Sequence, residues 1–407
     1  MVFGLVRRPA AAPSDASSGH HRREVAMRDG EHWVGSWTTA PAPAEGAAFA
    51  NQTLRINARL SLGGDTLRVR LSNAYGQKKL LVGAATIALR DRGPGIVPGS
   101  ERKLTFGGAE AAVIAAGAPL VSDPVGLALP PLADVAISLY LPGDLPASFG
   151  ITGRYSRQTH YVSPPGNFAA ATVMPVGRIT DEWFFVCGVD VLASAETGAV
   201  VALGDSLTDA NISTIDAFCR WPDQLSRRLQ ARRGGRPMAV MNQGLGGNRI
   251  LHDIRGDSGL RRFDRDVLAQ PGVTHAIVML GTNDLRNRWA KPEEEVTAEE
   301  MIAGLKQMAV RAHTQGVKIF GATLTGFENE TFLPGAWNPR REATRQAVNA
   351  WIRDGKAFDA VVDFDRALAD PEHPTRMLAT YDCGDHLHPS DLGYNQMGDA
   401  IDLSLFG

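Results

Sequence analysis

Ala199-Val200-Val201-Ala202-Leu203-Gly204-Asp205-Ser206-Leu207 is the stretch on which the fold turns. Its first five residues form an unbroken apolar run, the mark of a strand buried on both faces of a parallel sheet. Gly204-Asp205-Ser206 is turn chemistry, and a helical pattern follows the polar residues 208–214. The carboxyl end of a parallel strand is where open α/β sheets place their ligands, so Ser206 sits where a nucleophile would be useful. Alone, the serine reads equally well as a helix cap.

Three further blocks follow in the same style. Asn242-Gln243-Gly244-Leu245-Gly246-Gly247-Asn248 comes after the short apolar run 238–241. Gly281-Thr282-Asn283-Asp284 comes straight after Ala276-Ile277-Val278-Met279-Leu280. Asp385-His386-Leu387-His388-Pro389 lies near the C-terminus. Together they hold the parts of an acyl-transfer site: nucleophile, base, orienting acid and oxyanion donors. A serine hydroxyl needs a base such as histidine, and the histidine needs a partner that fixes its tautomer. A glycine turn offers backbone N–H groups with no Cβ in the way, and an asparagine adds a side-chain donor. No Gly-x-Ser-x-Gly elbow surrounds Ser206, which disfavours an α/β-hydrolase.

The four blocks, in this order, resemble the SGNH hydrolase superfamily, also called GDSL esterases and lipases. The resemblance spans about residues 196–407. It implies Ser206 as nucleophile, His388 as general base and Asp385 as the acid that orients it. It also implies an oxyanion hole made of the Ser206 and Gly247 N–H groups and the Asn283 amide. Arg220-Trp221-Pro222-Asp223 and Arg262-Phe263-Asp264-Arg265-Asp266-Val267-Leu268 are similar to an arylesterase or acylhydrolase subfamily. His386 is the rival base, with Asp382 as its acid. Asp205 and Asp284 read as structural.

After residue 196, strand-like runs near 199–203, 238–242, 275–280, 317–323 and 360–364 alternate with helical patterns near 221–233, 297–315, 339–355 and 391–404. Alternation of this kind implies a parallel sheet with helices on both faces. The resemblance implies the flavodoxin-like, three-layer α/β/α form. Residues 31–195 read differently. Leu54, Ile56, Ala58, Leu60 and Leu62 alternate with polar residues, and so do Leu67, Val69 and Leu71 after Gly63-Gly64-Asp65, a hairpin signal. Val135, Ile137, Leu139 and Leu141 repeat the period. The expectation is an all-β, jelly-roll-like sandwich domain. Trp33, Trp37, Tyr155, Tyr161 and His160 read as core aromatics, with a sugar-facing surface as the alternative. Residues 1–30 read as a disordered leader, with Met27 as an alternative start.

Composition sets the outer bounds. The chain has 407 residues, 44% hydrophobic and 21% charged, which suits two globular domains. With 42 basic and 44 acidic residues the formal charge is −2, so no nucleic-acid or anionic-membrane partner is implied. Arg227, Arg228, Arg232, Arg233 and Arg236 read as the solvated face and end of one helix. Cys187, Cys219 and Cys383 are too scattered for a disulfide framework, and no ligand spacing suggests a metal. No organic cofactor is implied. There is no apolar run of membrane-spanning length and no clear signal peptide. That favours a cytoplasmic protein, while the export of many family members leaves localisation open. Oligomeric state is not readable.

Substrate is the property least legible in the sequence. Trp289, Phe327, Phe332 and Trp337, in loops after the strands, are the candidates for holding an acyl or aryl group. Without a long apolar lid, short-acyl or aryl esters are favoured. A sandwich domain beside an esterase also fits a xylan-type polysaccharide O-acetyl esterase. A catalytically dead carbohydrate-binding protein is the alternative of a different class.

Overall fold

The computed structural model describes residues 30–43, 48–145, 155–287, 291–333 and 335–407. The leader and Met27, and Trp289, lie outside the described residues.

Five parallel strands run in the order Met238–Gly244, Gly198–Gly204, Val273–Met279, Lys318–Ala322, Ala360–Val362. In chain order that is 2-1-3-4-5, the flavodoxin-like doubly wound arrangement. Alternation along a strand divides the burial between two faces. Val200 and Ala202 pack with Trp221, Leu225, Tyr394 and Met397 from the helices Trp221–Ala231 and Asp391–Asp399. Ala199, Val201 and Leu203 belong to the core on the other side, with Met301, Leu305 and Met308 of the helix Ala298–Thr314 and Val348 and Ile352 of Pro339–Asp354. With both faces covered, the strand reads as continuously apolar rather than alternating.

Capping explains where the helices begin. Thr297 and Glu300 form a reciprocal capping box, Asn338 accepts from Arg341 N ahead of Pro339, and Ser390 accepts from Gly393 N. Among the described residues no helix is long and apolar enough to cross a membrane.

The N-terminal region is antiparallel. One sheet joins Glu31–Thr38, Val186–Ser194, Gly64–Ser72, Pro119–Val121 and Val125–Leu129. A second joins Arg178–Thr180, His160–Pro165, Phe49–Arg59, Asp134–Leu145, Ala84–Leu89 and Arg102–Lys103. The expected hairpin at Gly63-Gly64 is therefore not formed, because Phe49–Arg59 and Gly64–Ser72 lie in different sheets. Two local features send the chain across. Ser61 N donates to Ser36 O and Leu62 N to Ser36 Oγ, both at 2.9 Å, which draws residues 61–62 onto the first sheet. At Gly63 a Cβ would stand 2.3 Å from Leu129 O, so only glycine passes there.

The two regions share hydrogen bonds along the edge of the parallel sheet. Val240 N donates to Ser61 Oγ at 2.9 Å and Thr38 Oγ1 to Asn242 O at 3.1 Å. The edge strand Met238–Gly244 is thus partly covered. The basic cluster also departs from expectation. Arg228 donates to Gly398 O and Ile401 O, and Arg232 to Leu403 O, so these guanidinium groups bind carbonyls at the end of the last helix rather than facing water.

Candidate active site

Ser206 opens a short turn of helix, Ser206–Asp209, directly after its strand and is 6% exposed. Asp205 caps that turn by accepting from Leu207 N at 2.9 Å. The C-terminal loop reaches the same point from the other end of the chain. His388 Nε2 lies 2.9 Å from Ser206 Oγ, and His388 Nδ1 lies 2.7 Å from Asp385 Oδ2. Burial would raise the Asp385 pKa. The His388 bond and charge and the N–H groups of His388 and Leu387 outweigh it and hold the carboxyl at about 2. An ionised carboxylate only accepts, so Nδ1 carries the proton and Nε2 offers its lone pair to the serine hydroxyl.

His386 is placed elsewhere. Its Nδ1 lies 2.6 Å from Asp382 Oδ2, its side chain is 47% exposed, and it does not line the cavity. The ligand atoms of Asp382, Cys383 and Asp385 lie within 4.8 Å of one another. Both carboxylates are already engaged by the histidines and by backbone N–H groups. Burial pushes the Cys383 thiol up to about 11, away from thiolate chemistry.

The glycine block is pinned on both sides of its turn. Asn242 Nδ2 donates to Thr208 O at 2.9 Å and Leu245 N to Gly204 O at 3.0 Å. The Gly246 N–H donates to the Asp209 carboxylate. Gly247, at φ +81°, lines the cavity, and its N–H has no partner among the described residues. Asn283 is 2% exposed and also lines the cavity. Its Nδ2 donates to Asp205 Oδ2 at 3.0 Å and Asn248 O at 3.2 Å, while its Oδ1 accepts from Arg286 Nη1 at 3.1 Å. Arg286 is in turn held by Glu330 in a buried ion pair at 3.0 Å.

Sequence reasoning did not assign a role to Arg262, although the segment around it stood out. Its guanidinium is fully buried and donates to Gly204 O at 2.8 Å, Gln243 O at 2.8 Å and Asn248 Oδ1 at 3.0 Å. One side chain therefore fixes the ends of the two strands that carry the serine and glycine blocks. Asp266 accompanies it at 3.1 Å. Asp284 is structural, accepting from Ile250 N at 2.8 Å and Leu251 N at 3.2 Å.

These groups border a cavity of about 260 Å³. Phe332 lines it and meets the His388 ring edge-on, with centroids 5.5 Å apart. Phe327 and Trp337 do not line it. Phe327 is 1% exposed within the core and Trp337 packs against that core, because apolar burial outweighs placement at a loop. Tyr155 also departs from its expected core position: it is 45% exposed and lines the cavity with Arg157, Asn211, Ile212 and Arg255. Trp37, Tyr161 and His160 are buried. No periodicity could have marked Tyr155 and Arg157, which sit in an irregular segment.

Serine, imidazole and carboxylate hydrogen-bonded in series, beside a glycine turn, can carry out acyl transfer. Residues 202–396 match a sequence model of the GDSL-like Lipase/Acylhydrolase family. This segment, just under half of the chain, is similar to the GDSL-like lipase/acylhydrolase family. No curated protein matches the chain. Similar solved structures include an acetylxylan esterase from Geobacillus stearothermophilus, 20% identical with a TM-score of 0.39, covering 50% of this chain and 91% of that one. A carbohydrate acetylesterase from Sinorhizobium meliloti is 18% identical with a TM-score of 0.39, covering 50% and 96%. A GDSL-like lipase from Bacteroides thetaiotaomicron is 18% identical with a TM-score of 0.37, covering 51% and 87%.

Proposed function

We propose that this protein is a serine carboxylic ester hydrolase that works through a covalent acyl-enzyme on short-acyl or aryl esters. The observation that carries the reading is the 2.9 Å contact of Ser206 Oγ with His388 Nε2, backed by the 2.7 Å contact of His388 Nδ1 with Asp385. Ser206 Oγ attacks the ester carbonyl carbon as its proton passes to Nε2. The oxyanion that forms is met by the N–H groups of Ser206 and Gly247 and by the Asn283 amide. The C–O bond to the alcohol then breaks, and the imidazolium gives its proton to the departing oxygen. Water, activated by the same imidazole, releases the acid and restores Ser206. Asp385 stays ionised throughout and stabilises the imidazolium.

The cavity, about 260 Å³, is small beside ordinary ligand pockets of roughly 300–1,000 Å³, which favours a short acyl chain. A second reading, an O-acetyl esterase acting on a carbohydrate, draws on the exposed Tyr155 ring at the cavity, since aromatic faces suit sugar rings. Division of the chain into residues 31–195 and 196–407 belongs to the same proposal, with the first supplying one wall of the site.

The test is hydrolysis of 4-nitrophenyl esters of graded acyl length, with covalent labelling by a fluorophosphonate. The expected result is turnover that falls as the acyl chain lengthens, with label on Ser206. Ser206→Ala should lose turnover and labelling while keeping the wild-type circular dichroism spectrum. Near-wild-type turnover by a folded Ser206→Ala protein would falsify the mechanism.

A further inference from the structure

Part of the cavity wall is built across the two halves of the chain. Tyr155 and Arg157, from the N-terminal region, line it beside Asn211 and Ile212, which follow the serine turn. The two segments are stitched together. Asp216 N donates to Arg157 O at 2.9 Å, and Thr159 N donates to Asp216 Oδ1 at 2.8 Å. Arg157 Nε donates to Ser213 O at 2.6 Å, and Nη2 bonds the same oxygen.

Strained backbone concentrates at this seam. Tyr155 and Arg157 have φ of +55° and +54°, and Ala210, Ile212, Asp216 and Phe218 have +59°, +72°, +61° and +53°. Positive φ is rare outside glycine and a genuine outlier for a β-branched residue such as Ile212. Such conformations persist where the surroundings over-determine them, and they gather at ligand-binding walls.

The charge of the wall is one-sided. Three arginines line the cavity, Arg157, Arg255 and Arg286, and no aspartate or glutamate does. Arg286 is matched by Glu330. Arg157 is different: its bonds go to the neutral carbonyl of Ser213, its Nη1 has no partner among the described residues, and no carboxylate there pairs with it. A guanidinium anchored through two nitrogens, with its third unpartnered, on a residue that lines a cavity suits a carboxylate, because its planar N–H donors match that anion.

We propose that Arg157 is a specificity-determining residue and that the preferred substrate is an ester bearing a free carboxylate, which Arg157 binds beside the scissile carbonyl. The inference rests on the ester-hydrolase reading above. Tyr155 supplies the flanking apolar face. The carboxylate can belong to the acyl part or to the alcohol part, and the experiment separates the two.

Initial rates are measured on two matched pairs. In 4-acetoxybenzoate and 4-acetoxybenzamide the alcohol part carries the anion or its neutral counterpart. In the monophenyl esters of adipic acid and of its half-amide the acyl part does. The expected result is a kcat/KM ratio of carboxylate to amide of about tenfold in at least one pair at low salt, expressed mainly in KM. The ratio should shrink as ionic strength rises. Arg157→Gln should bring it close to one, and Arg157→Lys should restore part of it. Each ratio is taken within one protein, so a general loss of activity from a loosened 210–218 loop does not imitate the effect. Ratios near one in both pairs in the wild type, with clear turnover of all four esters, overturn the carboxylate assignment and leave the esterase reading standing. A wild-type preference that survives Arg157→Gln overturns the role of Arg157. Absence of turnover of every ester overturns the esterase reading and this inference with it.

Discussion

Asp205 Oδ2 accepts a hydrogen bond from Asn283 Nδ2 at 3.0 Å. The residue before the serine therefore positions the amide of a block that follows a different strand. Arg286 completes the arrangement by donating to Asn283 Oδ1, which leaves the amide only one orientation. Asp205 is itself buried, and burial pushes its carboxyl up to about 6, against the pull of the Leu207 N–H, His388, Arg286 and Asn283. The serine turn and the asparagine are thus one unit, not two independent loops.

Asn283→Ala should lower kcat by ~10²–10³ while KM changes little, the signature of a donor used in the transition state. In the resting site both amide hydrogens face protein acceptors, Asp205 and Asn248 O. The longer bond, to Asn248 O at 3.2 Å, is the one an oxyanion would compete for. Steady-state kinetics on one aryl ester decides the point. A large rise in KM with kcat intact would make Asn283 a substrate-binding group.

The two histidines should separate cleanly. His388→Ala is expected to lose nearly all activity, because among the described residues no other imidazole is bonded to Ser206. His386→Ala should keep activity within about threefold, since its ring bonds Asp382 at the surface and only helps to shape the loop. Wild-type kcat/KM should fall toward acid pH as the base takes up a proton. Asp385, ionised down to about pH 2, adds no second acid limb. The reverse ranking of the two variants would move the base to His386 and the acid to Asp382.

Much of this architecture was written locally. The runs 199–203 and 276–280 are continuous because both faces of the sheet are covered, so strand, turn and site block could be read together. What could not be read depends on contacts between segments far apart. The hairpin at Gly63-Gly64 failed because local alternation marks two strands without saying whether they share a sheet, and Ser36 made that choice. Phe327 and Phe332 lie in one loop and look alike in sequence, yet one is core and the other faces His388. Arg157 carries no motif at all. Its place follows from the seam between the two halves of the chain.

The last prediction concerns Asp209, beneath the glycine turn. Burial pushes its carboxyl up to about 8, although Arg220, the Gly246 N–H and Arg262 pull the other way. In the unfolded chain the group titrates near 3.9, roughly the model-peptide value. A folded pKa above the unfolded one means stability that is fully present below about pH 4 and is lost as pH rises through about 8. Asp209→Asn keeps an oxygen for the Gly246 N–H and removes the titration. The variant is expected to gain on the wild type by roughly 4 kcal/mol between pH 5 and pH 9. Urea unfolding at a series of pH values measures this. A new amide hydrogen without an acceptor shifts the variant by the same amount at every pH, so the slope carries the answer. Asp284, pushed to about 6 by burial, contributes to both proteins alike, whereas the Asp205 charge raises the Asp209 pKa and titrates together with it in the wild type. Parallel curves would mean that Asp209 is ionised at neutral pH, paired with Arg220 as a buried salt bridge.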